Sequence, residues 1–518
     1  MKKTTLFTLL ALSITITKAQ QQFEHLINAN QLKQYMQVLC SDSLEGRETG
    51  TRGMQRTCNY LAAHYNSLGI APYNESSYFQ NYVLSVKKNG AQSYVKTRSK
   101  NYNLYTDFYF FPGFDDLDIT TKNITFAGYG INDVKANYNN YASIDVKDKI
   151  VMILDGEPLL KDSIHLLTGT KEASTWTSNM RQKQAAARTA GVKLLLIVAN
   201  DFANDIQSER LLHYLQKPTT TLKTVAANGK VPTLIISRKL AQKLIGKKQF
   251  AEVYNCFSGN KKCSENTAVF KTNTNIHIAR ETNDLQGKNV LGYIRGSEFP
   301  DEVVVMSAHL DHLGIVDGKT YYGADDDASG TSAVMILAKA FKAATDAGYR
   351  PKRSVLFLNF SGEEKGLLGS SYYAENPVFK FKQTVVDLNI DMIGRRDKKY
   401  ADDPNFVYVI GSEKLSTELK TISEKANVAH TQLKLDYTYD DLNDPNQFYY
   451  RSDHYNFAKY DVPVIFYFNG VHEDYHKPTD TIDKIEFEKM QKITRLVYYT
   501  AWEVANAPQR IKVDKGSK

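Results

Sequence analysis

From Asn289 onward, short apolar runs alternate with helical stretches in a steady rhythm that few architectures satisfy. Strand-like runs fall at Val290 to Ile294, Val303 to Met306, Val355 to Phe360, Val385 to Ile390, Val407 to Ile410 and Val464 to Phe468. Helical spacing appears near Gly330 to Thr345, Leu415 to Asn427 and Glu486 to Ala505. Runs such as Glu302-Val-Val-Val-Met-Ser307 are β-branched and almost wholly apolar, as strands buried on both faces require. The alternation predicts an α/β fold: a mostly parallel, mixed sheet with helices on both faces. In such sheets ligands and catalytic groups collect beyond the carboxyl ends of the strands, where loops vary while the strands hold position.

Polar clusters lie just there. Ser307-Ala-His-Leu-Asp-His-Leu-Gly314 brings His309 out at a strand end, and Gly323-Ala-Asp-Asp-Asp-Ala-Ser-Gly330 follows it. Val334, Leu337, Ala338 and Phe341 then recur at helical spacing, so Asp326 sits in a loop leading into a helix and gains from its positive end. Three more clusters follow predicted strands: Ser361-Gly-Glu-Glu-Lys365, Asp391-Met-Ile-Gly394 and Tyr475-His-Lys-Pro-Thr-Asp-Thr481. Singly, Glu363 and Glu364 read as a solvated loop, Asp391 as a cap and His476 as a surface histidine. Together, at equivalent topological positions, they read as a metal site. Mixed imidazole and carboxylate donors suit zinc, whereas calcium takes all-oxygen cages. An EF-hand beginning at Asp325 would also need a carboxylate at its twelfth position, where Ile336 stands.

The chain of 518 residues, 42% apolar and 24% charged, can bury a sizeable core and holds more than one domain. Its net charge of +8 comes without a dense Lys/Arg run, which excludes nucleic acid as a partner. Lys2 and Lys3, the apolar stretch Leu6 to Ile16 and the small-x-small site Thr17-Lys-Ala19 read as a signal peptide over 1–19, so the protein is expected to be exported, periplasmic or secreted. That apolar core is shorter than the roughly 20 residues a span needs, and no later stretch is longer, so stable membrane insertion is not expected. No cysteine adjoins the cleavage site, which argues against a lipid anchor. Cys40, Cys58, Cys256 and Cys263 form two sequence-local pairs, and an oxidising compartment favours Cys40 with Cys58 and Cys256 with Cys263 among the three pairings. Nothing in the sequence speaks to oligomeric state.

Before the regular region, Gln31 to Leu39 and Arg52 to Leu68 carry helical periodicity, and the glycine-rich, polar stretch Ser41 to Gly50 between them reads as a loop. Tyr82 to Asp118 is rich in Tyr and Phe and has no assignable pattern. From Ile119 to Asn275 a separate unit has strand-like runs at Ile150 to Leu154, Lys193 to Val198 and Thr233 to Ile236 and a helix near Met180 to Ala190. It contains no cluster of His with Asp or Glu, so its role reads as structural or substrate-directing.

From about Leu32 to Ala505 the chain resembles the exported co-catalytic di-zinc aminopeptidases, a family whose relatives include glutamate carboxypeptidase and glutaminyl cyclase. The motifs carrying the resemblance are His309-x-Asp311, the run at Gly323, Glu363-Glu364, Asp391 to Gly394 and His476 in a His-x-Pro-x-Asp-Thr setting. The resemblance implies two zinc ions per chain, one on His309 and Asp391, the other on Glu364 and His476, with Asp326 bridging them. Two zincs roughly 3.5 to 4 Å apart can share a water, lower its pKa toward about 7 and polarise a peptide carbonyl. The family's general base maps to Glu363. Asp311 is expected to accept a hydrogen bond from the second ring nitrogen of His309 and fix its tautomer. Arg451-Ser-Asp-His454 matches a further family signature, with Asp453 bracing the site or touching substrate. Where the family often carries Asn beside the bridging Asp, this chain has Asp325 and Asp327, which either add negative charge near an amine-binding region or are solvated.

Phe126-Ala-Gly-Tyr-Gly130, Asp145-Val-Lys-Asp-Lys-Ile-Val151 and Ala187-Arg-Thr-Ala-Gly191 resemble a protease-associated domain, β-rich and inserted in the peptidase domain. The implied division is a signal peptide at 1–19, an N-terminal part of the peptidase domain at 20–118, the insert at 119–280 and the di-zinc peptidase domain at 281–510. The implied activity is release of the amino-terminal residue of peptide substrates. Glutaminyl cyclisation normally goes with a single zinc, and a non-catalytic binding protein would lack ligands. Carboxypeptidase action stays open, because Arg395 and Arg396 could clamp a terminal carboxylate, although Arg-Arg-Asp-Lys-Lys also reads as a solvated turn.

Overall fold

The computed structural model describes residues 22–516 apart from 75, 112, 143, 224–230, 258–268 and 442. The signal-peptide expectation therefore lies outside the described residues, as does Cys263. Two compact units are present, one made of residues up to Leu84 and from Leu285 onward, the other of Ser85–Asp284.

The first unit is built on a mixed sheet whose strands include β1 (Arg280–Ile294), β2 (Phe299–His309), β3 (Arg353–Phe360), β4 (Thr384–Ile390), β5 (Phe406–Ile410), β6 (Lys434–Asp436) and β7 (Val464–Phe468). Their spatial order is β1-β3-β2-β4-β7-β5-β6. The four central strands β3, β2, β4 and β7 run parallel. β1 joins antiparallel to β3, and β5 antiparallel to β7, which makes the sheet mixed at its flanks. The chain leaves β2 for β3 on one side and then crosses to β4 on the other, so the strand order reverses at β2. A crevice at the carboxyl ends of the strands follows from such a reversal.

Among the helices that cover this sheet are α1 (Ala29–Leu39), α2 (Arg52–Ser67), α3 (Gly330–Asp346), α4 (Leu368–Glu375), α5 (Thr417–Ala426) and α6 (Phe487–Asn506). Successive strand residues point to opposite faces. Val304, Met306 and Ala308 pack in one cluster with Leu32 of α1, Leu61 of α2, Leu337 of α3 and Leu496 of α6. Val303 and Val305 pack in another with Leu356, Leu358, Tyr373 of α4 and Phe457. Both faces are thus dry, which is why these strands read as continuous apolar runs. Cys40, half-buried at the end of α1, and Cys58, buried in α2, are free thiols, contrary to the expected bridge. Cys58 instead turns its Sγ toward the Lys288 carbonyl at 3.8 Å. Cys256 is disulfide-bonded.

The second unit has its own core and an eight-stranded sheet. Its wholly buried strands Ile150–Leu154, Leu194–Val198 and Thr233–Ile236 pair in parallel, with a helix at Met180–Thr189 between the first two in sequence. The expected boundary at residue 119 falls inside this unit, because Tyr94–Thr97 pairs antiparallel with 274–277. The region without a legible pattern contains this strand and Lys100–Asn103 and Phe108–Tyr109.

Candidate metal centre

The strand ends of the first unit deliver the candidate side chains to one place. β2 ends on His309, β3 runs on to Glu363 and Glu364, Asp391 follows β4 directly, and His476 lies in the loop beyond β7. Asp326 comes from the turn Ala324–Ser329 that leads into α3. Its carboxylate lies between two imidazoles: Oδ1 is 3.1 Å from His309 Nε2 and Oδ2 is 3.1 Å from His476 Nε2. His309 Nε2 is also 3.7 Å from Asp391 Oδ1, and His476 Nε2 is 3.2 Å from Glu364 Oε2. Two sets of donor atoms close enough to hold a cation result, one from His309, Asp327 and Asp391, the other from His312, Asp326 and Glu364. Glu363 lines the same pocket as His309, Asp326 and Asp391.

The neighbours of Asp326 are not solvated. Asp327 is fully buried and accepts backbone N–H groups from Gly330 at 2.8 Å, Met392 at 3.2 Å and His309 at 3.3 Å. Although Asp327 stands close enough to His309 and Asp391 to join their set, these bonds occupy both its oxygens, and Asp326 is the better bridge. Asp325, also fully buried, accepts the Gly394 N–H at 2.6 Å and meets His472 Nε2 at 3.2 Å. Both acids tie the turn to the β4 loop.

Asp311 departs from its expected role. His309 Nδ1 donates to the backbone carbonyl of Asp311 at 3.1 Å, while the Asp311 carboxylate stands 3.8 Å from that nitrogen. The carbonyl fixes the tautomer. The carboxylate accepts Thr49 Oγ1 at 2.7 Å and the Glu363 N–H at 3.3 Å, which positions the Glu363 loop. Asp453 is fully buried, and burial pushes its carboxyl up to about 7. Its neighbour Ser452 donates to Asp391 Oδ2 at 2.7 Å.

Several contributors escape sequence reasoning. The stretch read as a loop, Ser41 to Gly50, sends Arg47 into the protein, where its guanidinium donates to the carbonyls of Leu39, Leu310, Tyr322 and Gly323 at 2.6 to 2.9 Å. Asp480 accepts the N–H groups of Asp325 and Asp326 at 3.0 and 3.2 Å. His312 is fully buried with Nδ1 2.7 Å from Glu364 Oε1. The signal for it stood in the His-x-Asp-His run, but nothing local distinguishes it from a packed core histidine. Arg395 and Arg396 are committed to ion pairs, the former with Glu473 and Asp474, the latter with Glu486. Both arginines are half-buried, whereas Lys398 and Lys399 of the same turn are exposed.

The electrostatics fit a bound cation. Burial favours a neutral Asp326, yet contacts with His309 and His476 and the nearby His312 outweigh it and hold the carboxyl well below its usual range. Burial also favours a neutral His476, and Asp326 and Glu364 override this, raising it to about 10. Glu363 is different: burial, followed by the charges of Glu364, Asp453 and Asp391, pushes its carboxyl well above the usual range despite the opposing His309. The carboxylates therefore demand positive charge. Among the described residues, His309 Nε2, both ring nitrogens of His312 and Glu364 Oε1 are buried without a hydrogen-bond partner. Converging, unpaired imidazole and carboxylate atoms are the donor set that zinc takes.

Beside this cluster the pocket wall is formed by the apolar and aromatic side chains of Met392, Phe448, Phe466, Phe468, Val471 and Tyr475, together with Arg451.

Comparison with known proteins agrees with this geometry. The model of peptidase family M28 matches residues 289–501. A probable zinc metalloprotease of Pyricularia oryzae is 27% identical over 267 residues, which is 43% of this chain and 51% of that protein. A glutamate carboxypeptidase 2 homolog of Caenorhabditis elegans is 34% identical over 125 residues, 24% of this chain and 15% of that one. The chain thus spans about half or less of the curated relatives it matches. Among solved structures, an aminopeptidase from Aneurinibacillus sp. strain AM-1 shares the fold, with a TM-score of 0.50 at 17% identity over 96% of this chain and 98% of that one. The segment matched by the model of peptidase family M28, residues 289–501, carries the whole donor cluster.

Proposed function

We propose that this protein is a zinc-dependent aminopeptidase that hydrolyses the amino-terminal peptide bond of peptides after export. The observation that carries the reading is the Asp326 carboxylate, with one oxygen 3.1 Å from His309 and the other 3.1 Å from His476, so that it spans two donor sets. His309 and Asp391 would hold one zinc, Glu364 and His476 the other, with Asp326 shared. When bound, zinc supplies Lewis acidity that polarises the scissile carbonyl and makes water more acidic. Glu363 then takes the proton from water and returns it to the leaving amine, a task suited by a carboxyl whose pKa burial lifts toward the working range. The apolar wall from Met392 to Tyr475 receives the side chain of the terminal residue. Aminopeptidase rather than carboxypeptidase action is the activity the family resemblance implies, and the ion-paired Arg395 and Arg396 are consistent with it. The second unit, which resembles a protease-associated domain, reads as structural or substrate-directing.

Matched peptides with free, amino-blocked and carboxyl-blocked ends test the assignment. Cleavage of the free and carboxyl-blocked forms with none of the amino-blocked form is expected. Equal cleavage of the amino-blocked form would overturn it.

A further inference from the structure

The histidine that sequence reasoning passed over stands apart in the cluster. His312 is fully buried, whereas the side chain of His476 is 36% exposed. Its Nδ1 faces Glu364 Oε1 at 2.7 Å and Asp326 Oδ2 at 3.8 Å. The first distance is short, yet His312 Nδ1, His312 Nε2 and Glu364 Oε1, all buried, lack a well-formed hydrogen bond among the described residues. Leaving a buried polar atom unpaired costs about 1 to 3 kcal/mol. Polar atoms that converge without bonding one another leave a gap suited to a cation. The seat of the ring is also built for close approach. Gly323 has φ +52°, and a Cβ there would collide with Asp326 O and with Cγ of His312. Only glycine lets the imidazole lie against the turn that carries Asp326.

We propose that His312 Nδ1 is a nitrogen ligand of the second zinc, alongside Glu364, His476 and Asp326. The inference rests on the two-zinc reading above. It makes the two positions unequal: the second has four protein donors, whereas His309, Asp391 and the shared Asp326 give the first three. Four protein donors make a closed, tightly held site, and three leave a position open for water and substrate. Zinc therefore loads stepwise, with the His312 position filling first and chemistry centred toward the His309 position.

The test is zinc K-edge X-ray absorption on the full chain loaded with zinc, which counts imidazole scatterers directly. It is paired with zinc titration of wild type and His312→Gly against a chromophoric chelator, with and without added imidazole. Wild type should take up two zincs sharing three imidazoles. His312→Gly should show one imidazole fewer, a tight step weakened by at least about 10- to 100-fold, and recovery when free imidazole fills the vacated space. Two zincs with only two imidazoles in wild type would overturn this inference while leaving the two-zinc reading intact. Uptake of a single zinc by wild type would overturn both. The wild-type count decides even if the variant misfolds, and an unchanged titration in a folded His312→Gly chain also refutes the ligand role.

Discussion

Glu363 and Glu364 are neighbours with opposite electrostatic fates. Burial raises both, but His312 and His476 pull Glu364 down to about 2 while the surrounding acids drive Glu363 well above the usual carboxyl range. The same substitution should therefore fail differently at the two positions. Glu363→Gln removes only the proton acceptor, so metal analysis should find both zincs retained while kcat falls by about 10² to 10⁴. Glu364→Gln trades an anionic donor for a neutral one, so it should lose one zinc and recover part of its rate with added metal. Zinc loss from Glu363→Gln with retention in Glu364→Gln would reverse the assignment. Most residue types of this cluster are legible in the sequence because they follow apolar strands, and Asp326 because it leads into an apolar helix. Supporting residues were not: Arg47 and Thr49 lie more than 250 positions from the Leu310 carbonyl and Asp311 carboxylate they bind. A stretch bracketed by glycines gives no local sign that its arginine turns inward.

At the scale of elements, Arg47 ties three segments together, since its four carbonyl acceptors lie at the end of α1, beyond β2 and before the Asp326 turn. Arg47→Met would leave those carbonyls buried and unpaired, and denaturant titration should find a loss of about 3 kcal/mol or more. Metal retention should weaken as well, because the Leu310 and Gly323 carbonyls flank the His309 and Asp326 loops. A variant as stable as wild type would show that the loop is not part of the site's support. In the second unit, Lys183 of the helix Met180–Thr189 is buried, bonds the Leu154 and Gly156 carbonyls, and is lowered to about 8 by burial. Its folded pKa lies below its unfolded one, so the cost is full below about 8 and is relieved as pH rises toward about 10.4. Wild-type stability should gain from pH 8 to 10 relative to Lys183→Met, and parallel pH profiles would contradict this. Strands such as Ile150–Leu154 and Val464–Phe468 match the sequence reading to the residue, because both faces are buried and their apolar runs have sharp ends. Tyr94–Thr97 was illegible for the opposite reason. It is short, alternates in burial, and pairs with residues about 180 positions away.

At the scale of the whole molecule, the account ties catalysis to metal loading of one donor cluster. Removing zinc should lower the melting temperature as well as the activity, since a ligand at 1,000 times its Kd adds about 4 kcal/mol to the folded state. Among the described residues no helix is long and apolar enough to cross a membrane. Export with cleavage after Ala19 predicts a mature chain beginning at Gln20, and intact-mass measurement on protein recovered outside the cytoplasm checks it. An uncleaved cytoplasmic chain would refute the export reading. The central claim is tested most directly by adding zinc stepwise to the metal-stripped full chain while following release of the amino-terminal residue from a free peptide. Release should be absent without metal, rise until two equivalents are bound, and remain absent on the N-acetylated peptide. Full release without metal, a plateau at one equivalent, or equal cleavage of the acetylated peptide would contradict it.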